Sequence, residues 1–323
     1  MITVLCANAG IDKTYEIGNF ATGGYYHPGQ VQTVAGGKGI NVARVLKVLG
    51  QPLVVTGFVG GSNGRFLTSQ LMSSGIPVDF VPIAEESRIC INILDDAQGT
   101  QTRVDEIGPL VTPSEVGRLR SKWDRLLEGS SLGVISGSAP RGVPLELYAE
   151  LVESARKQKV PVILDAHDEL LARAVAARPR MIKPNLSELQ RLMERPLPVP
   201  DGLVEAGKEL LLEFVKVVVV SLGARGAIGM TDKHGVWWGR PPKVKIVSSV
   251  GSGDALVAGF ATASIERRPF EERLRLGIAA AVANAMTFGA GVCTQEQIEE
   301  LLPQVKMERL DAEPEKPQQE NAG

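Results

Sequence analysis

The chain has 323 residues, of which 44% are hydrophobic and 22% charged, and its formal net charge is −2. That balance provides no global field to hold nucleic acid or an anionic membrane, so any polyanion would have to be met by a local basic cluster. The length allows one large α/β domain or two ordinary ones. The three cysteines, Cys6, Cys90 and Cys293, are scattered without metal-ligand spacing and suit a reducing compartment.

Residues 1–8 read as a first strand. The apolar stretch is short, lacks a basic flank and runs at once into Asp12 and Lys13, unlike a signal peptide. No apolar run approaches a membrane span, so a cytoplasmic protein with neither membrane nor nucleic-acid partners is expected. Val42, Val45, Leu46 and Leu49 give one apolar helix face, ended by Gly50 and Pro52, and residues 53–59 form a buried strand. Thr112, Pro113 and Glu115 mark a helix start. Strands follow at 132–136, 160–165, 181–183 and 216–221, with a helix at 144–157 and another after 165. Val217 to Val220 is apolar on both faces, as a central parallel strand should be. The last third is helical, at 254–266, 270–287 and a final helix capped by Thr294 with Gln297.

This alternation implies an α/β fold, a doubly wound, mostly parallel sheet flanked by helices, with ligands at the carboxyl ends of its strands. Two segments, about 14–34 and 87–106, break it. In the second, Ile89, Ile91 and Ile93 alternate with Cys90, Asn92 and Leu94. The pair suits a small β-lid over the ligand edge, or equally an ordinary antiparallel extension. Residues 307–323 are polar and contain proline, so a disordered tail is expected behind a domain spanning 1–306.

Four motifs could carry chemistry. In Val250 to Asp254, the glycines Gly251 and Gly253 flank Ser252 ahead of a helix of small residues, so amide groups and the helix dipole make an anion site. Asp254 would repel a bound phosphate, which makes sense if it takes a proton from a nucleophile; a plain helix cap is the alternative. Asn185 and Glu188, after Lys183, would place two polar groups at one helical turn, able to hold a Mg²⁺–phosphate complex through water or to form a capping box. The stretch Gly36 to Arg44 resembles a Walker loop superficially, but Lys38 precedes Gly39 rather than Ser or Thr, and position 32 is Gln. Its glycines could let backbone approach a sugar, with Asn41 and Lys38 nearby. Gly223 and Gly226 follow the most buried strand, where a nucleotide could lie on bare backbone or a tight turn could form. No dinucleotide fingerprint opens a helix early in the chain, against a dehydrogenase. His27, His167 and His234 stand apart from any Ser or Cys elbow, and Trp237 with Trp238 suits hairpin packing.

In this order the motifs resemble the ribokinase-like (PfkB) carbohydrate kinases over residues 1–306. The Gly36 to Arg44 and Gly251 to Asp254 stretches match that family's two signatures, supported by Lys183 to Glu188 and by Ser136 to Pro140. The lysine in the glycine signature is most similar to the 1-phosphofructokinase and tagatose-6-phosphate kinase branch. The resemblance implies that Asp12, Gly37, Lys38 and Asn41 face the sugar, and that Arg88 and Ser138 help hold its phosphate. It implies Lys183, Asn185 and Glu188 for ATP and Mg²⁺, and Ser221, Gly223, Gly226 and Asn284 for the nucleotide. Gly251, Ser252 and Gly253 would form the anion hole, with Asp254 the catalytic base.

Two departures stand out. Ala9 replaces the branch's proline after Asn8, and Arg103 replaces an acid after the second lid strand, where it could join Arg88 and Lys38 at the substrate's phosphate or face solvent. The implied reaction is ATP-dependent phosphorylation of a ketohexose phosphate, either fructose 1-phosphate or tagatose 6-phosphate, to the 1,6-bisphosphate. K⁺ activation is left open, and a homodimer through the lid is implied. The rival readings are a kinase of an unphosphorylated sugar or nucleoside and a non-catalytic sugar-phosphate-binding protein.

Overall fold

A computed structural model describes residues 1–311 of the chain, so most of the expected tail lies outside the described residues. Strand β1 (Ile2–Cys6) is followed by β2 (Gly10–Glu16), β3 (Gln30–Gly36), helix α1 (Lys38–Val48), β4 (Leu53–Gly60) and α2 (Gly61–Ser73). Next come β5 (Val81–Ile83), β6 (Arg88–Asp95), β7 (Thr100–Asp105), α3 (Pro113–Leu127), β8 (Leu132–Ser136) and α4 (Leu147–Lys157). The chain continues through β9 (Val162–Asp165), α5 (Asp168–Ala176), β10 (Met181–Ile182), α6 (Leu186–Leu192), α7 (Asp201–Glu213) and β11 (Val217–Ser221). It closes with β12 (Ala227–Thr231), β13 (Gly235–Arg240), α8 (Ser252–Ile265), α9 (Phe270–Ala285), α10 (Gln295–Leu301) and β14 (Lys306–Arg309). Local chemistry sets several helix starts. Thr112 with Glu115, Asn185 with Glu188, and Thr294 with Gln297 close capping boxes ahead of α3, α6 and α10, each cap contributing about 1 kcal/mol.

Ten strands pair in the order β14-β13-β12-β11-β10-β9-β8-β1-β4-β5. From β11 to β5 all neighbours are parallel, and β12 to β14 add an antiparallel edge. Helices α1, α2, α8, α9 and α10 bury one face, and α3 to α7 bury the other. Within β11, Val217 and Val219 enter the first core and Val218 and Val220 the second. β11 is parallel on one side and antiparallel on the other, a change from the expected central parallel strand. Coverage of both faces is what its four valines require. The chain runs from β1 to β4 and β5, then returns to β8 on the other side of β1 and moves outward. That reversal opens a crevice at the carboxyl ends of β1 and β8.

The two segments that broke the alternation form a second sheet, ordered β3-β2-β6-β7, with β2 and β6 parallel and the outer pairs antiparallel. The first of these segments runs from Gly10 to Gly36, wider than 14–34, because β2 leaves directly from the turn after β1. The boundary expected at 306 also shifts. Residues Lys306–Arg309 pair with β13, and Leu310 packs against the core. An edge strand leaves most of its side chains in water, so Lys306, Glu308 and Arg309 look like tail residues until the backbone pairing is seen. Among the described residues no helix is long and apolar enough to cross a membrane.

Candidate active site

Adjacent strands place polar residues at one edge: Ser136 ends β8, Asp165 ends β9, Lys183 follows β10 and Ser221 ends β11. Together with the loop after β1 and the second sheet, they surround a cavity of about 810 Å³. It brings together Asp12, Gly37, Lys38, Asn41, Arg88, Arg103 and Ser138 with Lys183, Asn185, Glu188, Ser221, Gly251, Gly253 and Asp254. These come from both halves of the chain.

Asp165, absent from the sequence expectations, is the electrostatic centre. Its carboxylate is 1% exposed, and Oδ1 lies 3.2 Å from Lys183 Nζ and 3.6 Å from Lys38 Nζ, while Ser136 Oγ donates to Oδ2 at 3.4 Å. Burial alone would push Asp165 up, but the two ammonium groups hold it below the usual carboxylate range. Asp165 in turn raises Lys38 above the ordinary lysine value.

Asp254 is the third residue of α8, not its cap. Gly251 occupies the cap position with a left-handed backbone (φ 80°), a conformation that glycine adopts without strain. The first helical bond runs from Ala255 N–H to Gly251 O (2.8 Å), leaving the amides of Gly253 and Asp254 without an acceptor in an earlier turn. Asp254 is 5% exposed, and Oδ2 accepts from Asn41 Nδ2 at 2.9 Å. Arg44 Nη1 donates to Asn41 Oδ1 (3.2 Å) and to Ala290 O (3.3 Å), which turns the amide nitrogen of Asn41 toward Asp254. Burial and the charge of Asp165 push Asp254 up to about 6, against the opposing pull of Lys38, Asn41 and Lys183.

On the second sheet, Asp12 lies across Gly36, where a Cβ would fall 2.1 Å from its carboxyl carbon. Burial raises Asp12, opposed by Arg103, Arg44 and Arg88. Arg103 reaches the cavity while holding both oxygens of Asp105 (3.0 and 3.1 Å). Arg88 reaches it while donating to Asn8 O and Glu106 O, each at 3.1 Å. Asn8, also missing from the expectations, donates to Ile107 O (2.9 Å) and Ser138 Oγ (3.1 Å), tying β1 to the exit of the second sheet.

Four of the expected site residues lie outside the cavity lining. Asn284 lies behind the site and braces it, donating to Val250 O (2.7 Å) and Ser252 Oγ (3.3 Å) and accepting from Gly291 N–H (2.7 Å). The Ser252 hydroxyl therefore faces α9, away from the cavity lining. Gly223 and Gly226 shape the 3₁₀ turn after β11 and are also outside the lining, which Ser221 reaches. At α6, cap and cavity coincide. Asn185 Oδ1 accepts from Glu188 N–H (2.9 Å) and Glu188 Oε2 from Asn185 N–H (2.8 Å), and both residues still line the cavity. A carboxylate closing an apolar run, as in Val162 to Asp165, was the available signal for Asp165. Asn8 offered none, because its role depends on contacts with residues 107 and 138.

The chain matches the pfkB family carbohydrate kinases over residues 6–297. It is 30% identical to phosphofructokinase-2 from Escherichia coli in complex with fructose-6-phosphate, over 94% of this chain and 98% of that one, with a TM-score of 0.87. The same bacterial protein has been solved in complex with potassium. A Thermotoga maritima protein described as a possible 1-phosphofructokinase is 30% identical over 96% of this chain and 99% of that one, with a TM-score of 0.85. Ribokinase from Arabidopsis thaliana, complexed with ribose and ATP, shares the fold at 23% identity over 93% and 98% of the two chains, with a TM-score of 0.74.

Proposed function

Because the chain belongs to the pfkB family of carbohydrate kinases and is an ATP-dependent sugar kinase, we propose that its acceptor is a ketohexose phosphate. Fructose 1-phosphate going to fructose 1,6-bisphosphate is the first choice, and tagatose 6-phosphate going to its 1,6-bisphosphate the next. Fructose 6-phosphate is a second reading, favoured by the likeness to the fructose-6-phosphate-binding enzyme. The observation that carries the reading is one cavity in which Asp254 meets two lysines and two arginines from the second sheet.

In this reading the acceptor hydroxyl approaches Asp254, whose carboxylate, steadied by Asn41, takes the proton as the phosphoryl group transfers. A loose transition state needs little basicity, so a value near 6 suffices. The turn Gly251, Ser252 and Gly253 offers amides to the transferring group, and Lys38 and Lys183 neutralise its oxygens. Asp12, Gly37, Lys38, Asn41 and Ser138 orient the sugar, while Arg88 and Arg103 meet its existing phosphate, Arg103 exchanging Asp105 for it. Lys183, Asn185 and Ser221 border the nucleotide, with Gly223 and Gly226 at the outer turn and Asn284 supporting from behind.

Kinases of this family use ATP and Mg²⁺. Such an ion keeps most of its waters and is held largely by water and phosphate oxygens. Glu188, through water, would fit such an ion, which when bound would offset charge on the phosphates. The second sheet serves as a lid that excludes water. A homodimer through it would cover the exposed Val31, Val104 and Ile107, and the mass in solution reads that directly.

The test is ADP release with fructose 1-phosphate, tagatose 6-phosphate, fructose 6-phosphate and free fructose. Turnover is expected on one or more phosphorylated ketohexoses, and Asp254→Asn should lower it about 10³-fold while leaving ATP affinity within a few-fold. Activity confined to free sugars, or an Asp254→Asn variant with wild-type turnover, would overturn the reading.

A further inference from the structure

At the opposite, amino end of the parallel strands lies a second cavity, of about 840 Å³, floored by Leu132, Val162, Met181 and Val217 at the starts of β8 to β11. Seven cations line it with one carboxylate, Glu213. This is the kind of local basic cluster that a chain of net charge −2 would need in order to hold a polyanion.

Three of the cations, Lys159, Arg178 and Arg267, stand two residues beyond α4, α5 and α8 with left-handed backbones (φ 60°, 63° and 59°). At the same position after α1 and α2 the chain has glycines, Gly50 and Gly75 (φ 71° and 69°), and after α6 it has Glu194 (φ 53°). A side chain at such a site is strained relative to glycine. A cation near a helix C-terminus recovers only part of that strain through the helix dipole. Helix termination alone would therefore be served at least as well by glycine. The helices that contribute them pack on both faces of the sheet, so the charges converge on the cavity from two sides.

The other four are Arg156, Arg180, Lys216 and Arg273. None of the seven is ion-paired with a carboxylate among the described residues. Other exposed arginines, such as Arg173, Arg191 and Arg195, are. Arg273 Nε donates to Arg268 O (2.7 Å), and burial together with the Arg180 guanidinium pulls Arg273 below the ordinary arginine value. Both guanidinium-bearing residues line this cavity, and neither is paired with a carboxylate among the described residues. Five arginines offer planar forks that match phosphate oxygens, and Val152, Phe214 and Ile265 supply an apolar side for an organic moiety.

We propose that this cavity at the amino edge of the sheet is a second ligand site, separate from the active site, that binds a multiply charged phosphate compound. The probe is inorganic tripolyphosphate, titrated calorimetrically into the full chain at constant ionic strength. Arg180→Ala/Arg273→Ala should weaken binding at this site at least tenfold while leaving sugar-kinase turnover intact. Lys183→Ala, altered at the other end, should retain it. Equal binding by Arg180→Ala/Arg273→Ala and wild type, or loss of all binding in Lys183→Ala, would overturn the proposal. Thermal melting of the ligand-free single variant Arg180→Ala supplies the control. Relief of like-charge repulsion should leave its Tm unchanged or higher. A fall of several degrees would assign these cations to the fold and equally overturn the proposal.

Discussion

The two ends of the same strands carry opposite electrostatic arrangements. At the carboxyl end, four cations (Lys38, Arg88, Arg103 and Lys183) share a cavity with five carboxylates (Asp12, Asp105, Asp165, Glu188 and Asp254). At the amino end, seven cations share one with Glu213 alone. Balanced charge at the carboxyl end allows lysines and aspartates to be buried and their proton affinities to be set by one another. At the amino end the cations stay mostly exposed, because no partner is present to offset desolvation.

The largest way to break this contrast is Asp165→Asn. It leaves Lys183, 4% exposed, without its carboxylate, and chemical denaturation should show a loss of about 3 kcal/mol, against less than about 0.5 kcal/mol for Arg180→Ala. Equal effects at the two ends would erase the distinction between paired and unpaired charge. Next, Arg103→Ala should raise KM for the phosphorylated ketohexose about tenfold, equivalent to about 1.4 kcal/mol, with kcat little changed and no effect on free sugars. An unchanged KM would return Arg103 to its partner Asp105 and to solvent.

The smallest effect is a pH shift. Asp254 must be ionised to accept a proton, so kcat/KM should fall as pH drops through about 6. The Asn41 amide favours the ionised form, so Asn41→Ala should move this limb upward by less than about one unit. A limb that stays in place would mean that Asn41 does not set the ionisation of Asp254. The raised value also makes ionised Asp254 a stability cost, fully present above about 6 and relieved as pH falls toward the unfolded value of 3.8. Tm should respond in that sense.

Much of this was legible residue by residue. The four valines of β11 state that both sheet faces are covered, and Thr112 with Glu115 marks a helix start whatever packs around it. The turn before α8 is likewise readable from Gly251, whose left-handed backbone favours a residue without a Cβ. By contrast, the bonds of Asn284 to Val250 and Gly291 are not legible in sequence, because the side of α9 that faces the cavity depends on how α9 packs against α8. Strand β14 escaped notice because its stability comes from backbone pairing with β13, which composition does not encode.

What the sequence by itself determined is local: strand and helix periods, caps, glycine turns and the chemistry each motif can perform, all set by side chains within a few positions of one another. The tertiary structure decided which of those motifs meet. Asp165 became the hub of the site because β9 lies beside β10 and β8, which brings Lys183 within 3.2 Å and, through α1, Lys38 within 3.6 Å. Asp254 acquired a value near 6 for the same reason, since burial and a neighbouring charge exist only once distant segments are packed together. The unpaired cations at the other end are separated by more than a hundred residues of chain, and only the alignment of α4, α5 and α8 against one sheet edge collects them.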